Sequence, residues 1–130
     1  MALYDKDKSF STGWMVGGTV LMFVFHFFGS FVALGAGVTS PAALAAVVTG
    51  CFAFTGFVIG WRSEGQTIVE AGLAAAIATG LMIGVTGVTA MALLAPHVLV
   101  LTLGAPFLAA VLGAWVGEKL QGDTIETDDG

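Results

Sequence analysis

Polar and apolar positions along this chain fall into blocks instead of alternating. Charged residues are confined to the first eight positions, to Arg62 through Glu70, to Glu118 and Lys119, and to the tail from Asp123 to Asp129. Between them run two uncharged, apolar stretches, from about 13 to 61 and from about 71 to 117. A bilayer core needs about 20 apolar residues per helix, so each stretch is long enough for two helices and reads as a hairpin. The breaks fall at Gly35-Ala36-Gly37-Val38-Thr39-Ser40-Pro41 and at Ala95-Pro96-His97, where glycine and proline favour turns. Proline at the start of a helix is tolerated because its missing N–H would have been unpaired there. The pattern predicts helices at about 13 to 36, 41 to 62, 67 to 94 and 97 to 119. A short N-terminal segment, 1 to 12, and an acidic tail, 120 to 130, flank them.

Composition turns this pattern into a fold class. Of 130 residues, 57% are hydrophobic and only 10% charged, and the mean hydropathy is +0.96. Soluble domains carry about 25% charged residues, so the expected class is all-α, an integral membrane four-helix bundle. The run from Trp14 to Ala36 exceeds the length of a cleaved signal's apolar region, and the first helix is expected to stay.

The basic residues orient the bundle. Lys6, Lys8, Arg62 and Lys119 all fall on one side of a four-helix layout, which the positive-inside rule places in the cytoplasm, with both termini inside. Trp14, Trp61 and Trp115 lie near helix ends on that same side, where amphipathic rings favour the headgroup level. All nine acidic residues share that face, so the net charge of −5 offers nothing to nucleic acid. Small size and minimal loops point to a prokaryotic inner membrane.

Small residues recur every four positions in each predicted helix. The ridges are Gly29, Ala33 and Gly37; Gly56 and Gly60; Gly72, Ala76, Gly80 and Gly84; and Ala105, Ala109, Gly113 and Gly117. In lipid such ridges let helix backbones approach closely. Two uses stand open, packing inside one bundle and contact with a second copy or another membrane subunit. Pro106 interrupts the fourth helix and removes one backbone hydrogen bond. Two readings stand open for a further match, an internal repeat of two tandem hairpins and a chance likeness between glycine-rich helices. Gly56-x-x-x-Gly60-Trp61-Arg62-x-x-Gly65 aligns with Gly113-x-x-x-Gly117-Glu118-Lys119-x-x-Gly122, each following a proline.

Few polar residues lie within the spans. His26 sits near the middle of the first, and at that depth an ionisable group is expected to face protein or a water-filled cavity. Helical spacing puts Thr19, Met22, Ser30 and Ala33 on its face and turns Val24, Phe28 and Phe31 to lipid. A packed neutral imidazole, a proton relay or substrate contact, and a haem or metal ligand are the readings for His26. Cys51 is a lone thiol, read as a small apolar filler. Together with methionines 22, 82 and 91 it fits no copper motif, and no metal or cofactor is expected.

The loop Arg62-Ser63-Glu64-Gly65-Gln66-Thr67-Ile68-Val69-Glu70 contains Thr67 and Glu70 at capping-box spacing, each side chain serving a backbone N–H at the start of the third helix. The run from Gly60 to Glu70, with Ser63, Gly65, Thr67 and Glu70 between glycine-rich helices, resembles a loop of small, uncharacterised bacterial four-helix membrane proteins. Glu64 stands where those relatives carry proline. The resemblance implies the four-helix membrane fold and no activity.

No pattern of nucleophile, acid and base emerges, so an enzyme is not expected. The leading expectation is a non-catalytic membrane component, either a homo-oligomer or an accessory subunit of a larger membrane complex. The alternative is a small channel or transporter lined by His26, Thr19 and Ser30 with hydroxyls of the third helix such as Thr79 and Thr86.

Overall fold

The structure, a computed structural model, describes residues 11–63, 68–87 and 95–128. It is an all-α four-helix bundle, with α1 at Thr12–Gly35, α2 at Pro41–Arg62, α3 at Ile68–Thr86 and α4 at Pro96–Asp128. All four are long and apolar enough to cross a membrane, and the chain is a multi-pass membrane protein.

Local sequence explains most of the ends. Ser11 caps α1, its side chain accepting from Trp14 N at 3.4 Å. At the other end Gly37 takes φ +86°. Gly37 N donates to the Leu34 carbonyl at 3.0 Å and Val38 N to the Ala33 carbonyl at 2.9 Å, a Schellman closure that needs the left-handed residue. Pro41 then opens α2 at its first position.

Two boundaries differ from expectation. Helix α3 stops at Thr86 instead of continuing to about 94, because Gly87 adopts φ +88° and its N–H closes on the Ile83 carbonyl at 2.8 Å. Hydropathy missed this stop because residues 88 to 94 are uncharged and largely apolar. Helix α4 runs on to Asp128, past the expected end at about 119 and into the acidic tail. No glycine-based stop or proline intervenes to halt it, and Gly122 is carried within the helix.

The helices pack as a ring in which α2 lies against α4, α4 against α3, α3 against α1 and α1 against α2. The α2–α4 interface is the most extensive, and it is made backbone to backbone. A side chain placed on Gly56 would overlap the Ala110 carbonyl, and one on Gly60 the Ala114 carbonyl. Gly113 meets the Ala53 carbonyl, and Gly117 the Phe57 carbonyl, in the same way. The contact is reciprocal. Gly56 and Gly113 each face the residue that lies three positions before the other, as do Gly60 and Gly117. Residue numbers rise together on both sides, so α2 and α4 run parallel and are related by a local two-fold axis along the helices. The two Gly-x-x-x-Gly segments that align in the sequence are the ones that meet here.

The core sits in the half of the bundle nearest Ser11, Arg62 and Glu70, here called the charged end. Met22, Phe52, Ile59, Ala71, Ala74, Ala75, Ala78, Ala110 and Ala114 form it, all at 1% exposure or less. Alanines dominate because the helices approach too closely to leave room for larger side chains.

Candidate functional site

Two places combine polar groups with burial. The first is the inward face of α1. Thr19 and Met22 are buried there, His26, Gly29 and Ser30 are half-buried, and Ala33 is buried. Val24, Phe28 and Phe31 point outward. The His26 ring meets Phe52 of α2 edge-on, with centroids 6.0 Å apart and planes at 68°. Its Nδ1 is buried and has no hydrogen-bond partner.

Thr19 on this face and Thr55 on α2 each have their hydroxyl engaged. Thr19 Oγ1 donates to the Met15 carbonyl at 2.8 Å, and Thr55 Oγ1 donates to the Cys51 carbonyl at 2.9 Å. Such bonds to the preceding turn satisfy a hydroxyl in lipid without a neighbouring helix. The Cys51 thiol fills the space beside Gly29, where an added Cβ would stand 2.9 Å from the sulfur. Of the third-helix hydroxyls, Thr79 is half-buried, and the Thr86 side chain lies outside the described residues.

The second place is the charged end. Glu70, in the first turn of α3, is 3% exposed, and its Oε1 accepts from Ser11 N at 3.0 Å. The carboxylate therefore ties the start of α1 to the start of α3. A negative charge is favourable at both helix N-termini, where unpaired N–H groups leave partial positive charge. Thr67, the other member of the expected capping box, lies outside the described residues. Sequence reasoning assigned Glu70 to its own helix and missed Ser11, which is remote in the chain. Next to this tie, an apolar groove of about 410 Å³ runs between α1 and α2, lined by Ser11, Gly13, Trp14, Gly17, Gly18, Leu21, Val58 and Ile59. At the same end Lys119 Nζ lies 4.6 Å from the centre of the Trp115 ring, a cation–π contact. Among the described residues, no group of three or more His, Cys, Asp or Glu gathers to hold a metal ion.

Comparison with protein-family models, with curated proteins and with solved structures finds no match.

The small-residue ridges separate into two groups. Gly56, Gly60, Gly113 and Gly117 are at the α2–α4 contact, with Ala109 half-buried beside it, while Gly29 faces α2 and Gly72 faces Phe107 and Val111 of α4. Gly37 serves the turn after α1. By contrast Ala76, Gly80 and Gly84 are exposed, and a Cβ on Gly80 or Gly84 would meet none of the described residues within 4 Å. The α3 face buried within the bundle is instead Ala71, Ala74, Ala75 and Ala78.

Proposed function

We propose that this protein is a non-catalytic component of a membrane assembly, with its charged end in the cytoplasm, and that α3 carries the contact to a second copy or to another subunit. The observation behind this reading is the outward position of Gly80 and Gly84. A glycine inside a helix costs about 1 kcal/mol relative to alanine. At Gly56, Gly60, Gly113 and Gly117 that cost is offset by backbone approach inside the bundle. At Gly80 and Gly84 none of the described residues offsets it, whereas a neighbouring helix lying along Ala76, Gly80 and Gly84 would.

The test is native mass spectrometry of the protein released gently from its own membrane, as wild type and as Gly80→Leu/Gly84→Leu. The double variant has room for both side chains, so the bundle itself is expected to keep its helicity and melting temperature. Wild type bound to a second copy or to larger subunits, with the variant released alone, is the expected result. A wild type that is always monomeric, or a variant that assembles equally well, overturns the reading.

A channel or transporter competes with it, favoured by the unpaired Nδ1 of His26 at mid-span. That reading requires pH-dependent flux from liposomes that His26→Leu abolishes. The assembly reading requires His26→Leu to assemble normally. No solute-dependent flux under any imposed gradient removes the channel.

A further inference from the structure

We propose that the groove between α1 and α2 is a binding site for one anionic glycerophospholipid of the leaflet at the charged end. It would take an acyl chain along Gly13, Gly17 and Gly18 and hold the phosphate at Arg62.

The groove exists because α1 presents glycine where other helices present side chains. Gly13 and Gly17 are exposed and one turn apart, and Gly18 is buried against Ile59 and Ala74. Leu21 on α1 and Val58 and Ile59 on α2 complete an apolar trough, in which the Ser11 hydroxyl is the polar member besides the Trp14 indole. Its volume of about 410 Å³ falls within the span typical of small-ligand sites. A groove at this depth in a bilayer faces acyl chains, which match an apolar trough open along one side.

Charge selects the headgroup. Arg62 follows Val58 by four residues and Ile59 by three, so it stands one turn above the trough on the same face of α2. Arg62 is exposed and lies in the last turn of α2, and its guanidinium fork matches phosphate geometry. The Glu70 carboxylate is buried and engaged, with Oε1 accepting from Ser11 N and 3% of the residue exposed. Trp14 lines the mouth at the level where indoles favour the headgroup boundary. Basic residues between helices on the cytoplasmic side are a recurrent anionic-lipid motif. The inference concerns α1 and α2 and is independent of what packs on α3.

The experiment titrates detergent-purified full-length protein with dioleoyl-phosphatidylglycerol or dioleoyl-phosphatidylcholine, reading lipid adducts by native mass spectrometry. Wild type is expected to form a single saturating adduct, with the anionic lipid favoured about fivefold, the ratio that one guanidinium near a charged surface supplies. Arg62→Gln brings the two lipids level. Gly17→Leu fills the trough and removes the adduct with either lipid, and because a Cβ there meets none of the described residues within 4 Å the helicity and melting temperature stay at wild-type values. Gly13→Leu, whose Cβ would touch only Ser11 Oγ at 3.8 Å, repeats the test from the groove's mouth. Phe28→Ala, at an exposed position away from the groove, keeps wild-type binding. Equal affinity of wild type for both lipids, or an undiminished adduct in both folded glycine variants, overturns the proposal.

Discussion

The half of the bundle that ends at Ser11, Arg62 and Glu70 is built differently from the half that ends at Gly37 and Pro96. In the first, α2 and α4 touch backbone to backbone, alanines of α3 are fully buried, and Glu70 ties two helix starts together. In the second, Ala33 is buried, but Phe31, Val85 and Val100 are 71%, 69% and 69% exposed. Exposed large apolar residues occur in both halves, Val16 and Val69 in the first being 52% and 64% exposed, so hydrophobicity does not distinguish them. Shape does. Lipid tails solvate a leucine as well as a protein interior does, so helices in a membrane hold together where backbones approach closely and polar groups find partners. The charged end has both, and the far end offers large side chains to whatever surrounds it. The exposed small-residue face of α3, at Ala76, Gly80 and Gly84, is where the proposed assembly contact lies.

Substitutions at the α2–α4 contact, at a buried and an exposed phenylalanine, at Glu70 and at Gly80 test the comparison. The largest effect is expected from Gly56→Leu or Gly113→Leu, which drive a side chain into a backbone carbonyl of the partner helix and should cost about 3 kcal/mol or more. Reversible unfolding in mixed micelles measures it, and near-native stability would mean that the α2–α4 contact does not hold the bundle. Next, Phe52→Ala opens a cavity at a residue 1% exposed and should cost about 3 kcal/mol. Phe28→Ala, at a residue 62% exposed, should fall within about 0.5 kcal/mol of wild type in the same assay. Equal costs for the two phenylalanines would erase the difference between interior and lipid-facing positions.

A smaller loss follows Glu70→Ala, which leaves Ser11 N without its acceptor and should cost about 1 kcal/mol. Glu70→Gln, which keeps a carbonyl oxygen, should recover part of that loss. If the glutamine variant were as weak as the alanine one, the charge and not the hydrogen bond would carry the tie. The smallest effect belongs to Gly80→Leu in the isolated chain, within about 0.5 kcal/mol, because an added Cβ meets none of the described residues within 4 Å. A large loss there would place α3's outer glycines inside a contact of the single chain.

Much of this was legible from the order of residues. The charged blocks and the Gly37-to-Pro41 turn gave four helices and their hairpin pairing. The spacing around His26 gave the face that Thr19, Met22 and Ala33 bury. The stop at Gly87 was also present as a glycine, yet the apolar residues beyond it hid the signal. Gly13, Gly17 and Gly18 carried a trace of the groove in their spacing, but no local rule says that three glycines near a helix start will line a hollow.

The sequence by itself determined that these segments are helices, that they belong in lipid and which end carries the charge, because those properties follow from local composition and period. Which glycines meet a backbone and which face outward was decided only when α2 and α4 came side by side. The same holds for Glu70, which local spacing pairs with its own helix and tertiary structure pairs with Ser11. Small residues at four-residue spacing occur in all four helices, so the pattern permits many packings. Only the arrangement in space, set by close approach and by satisfying buried polar groups, selects one.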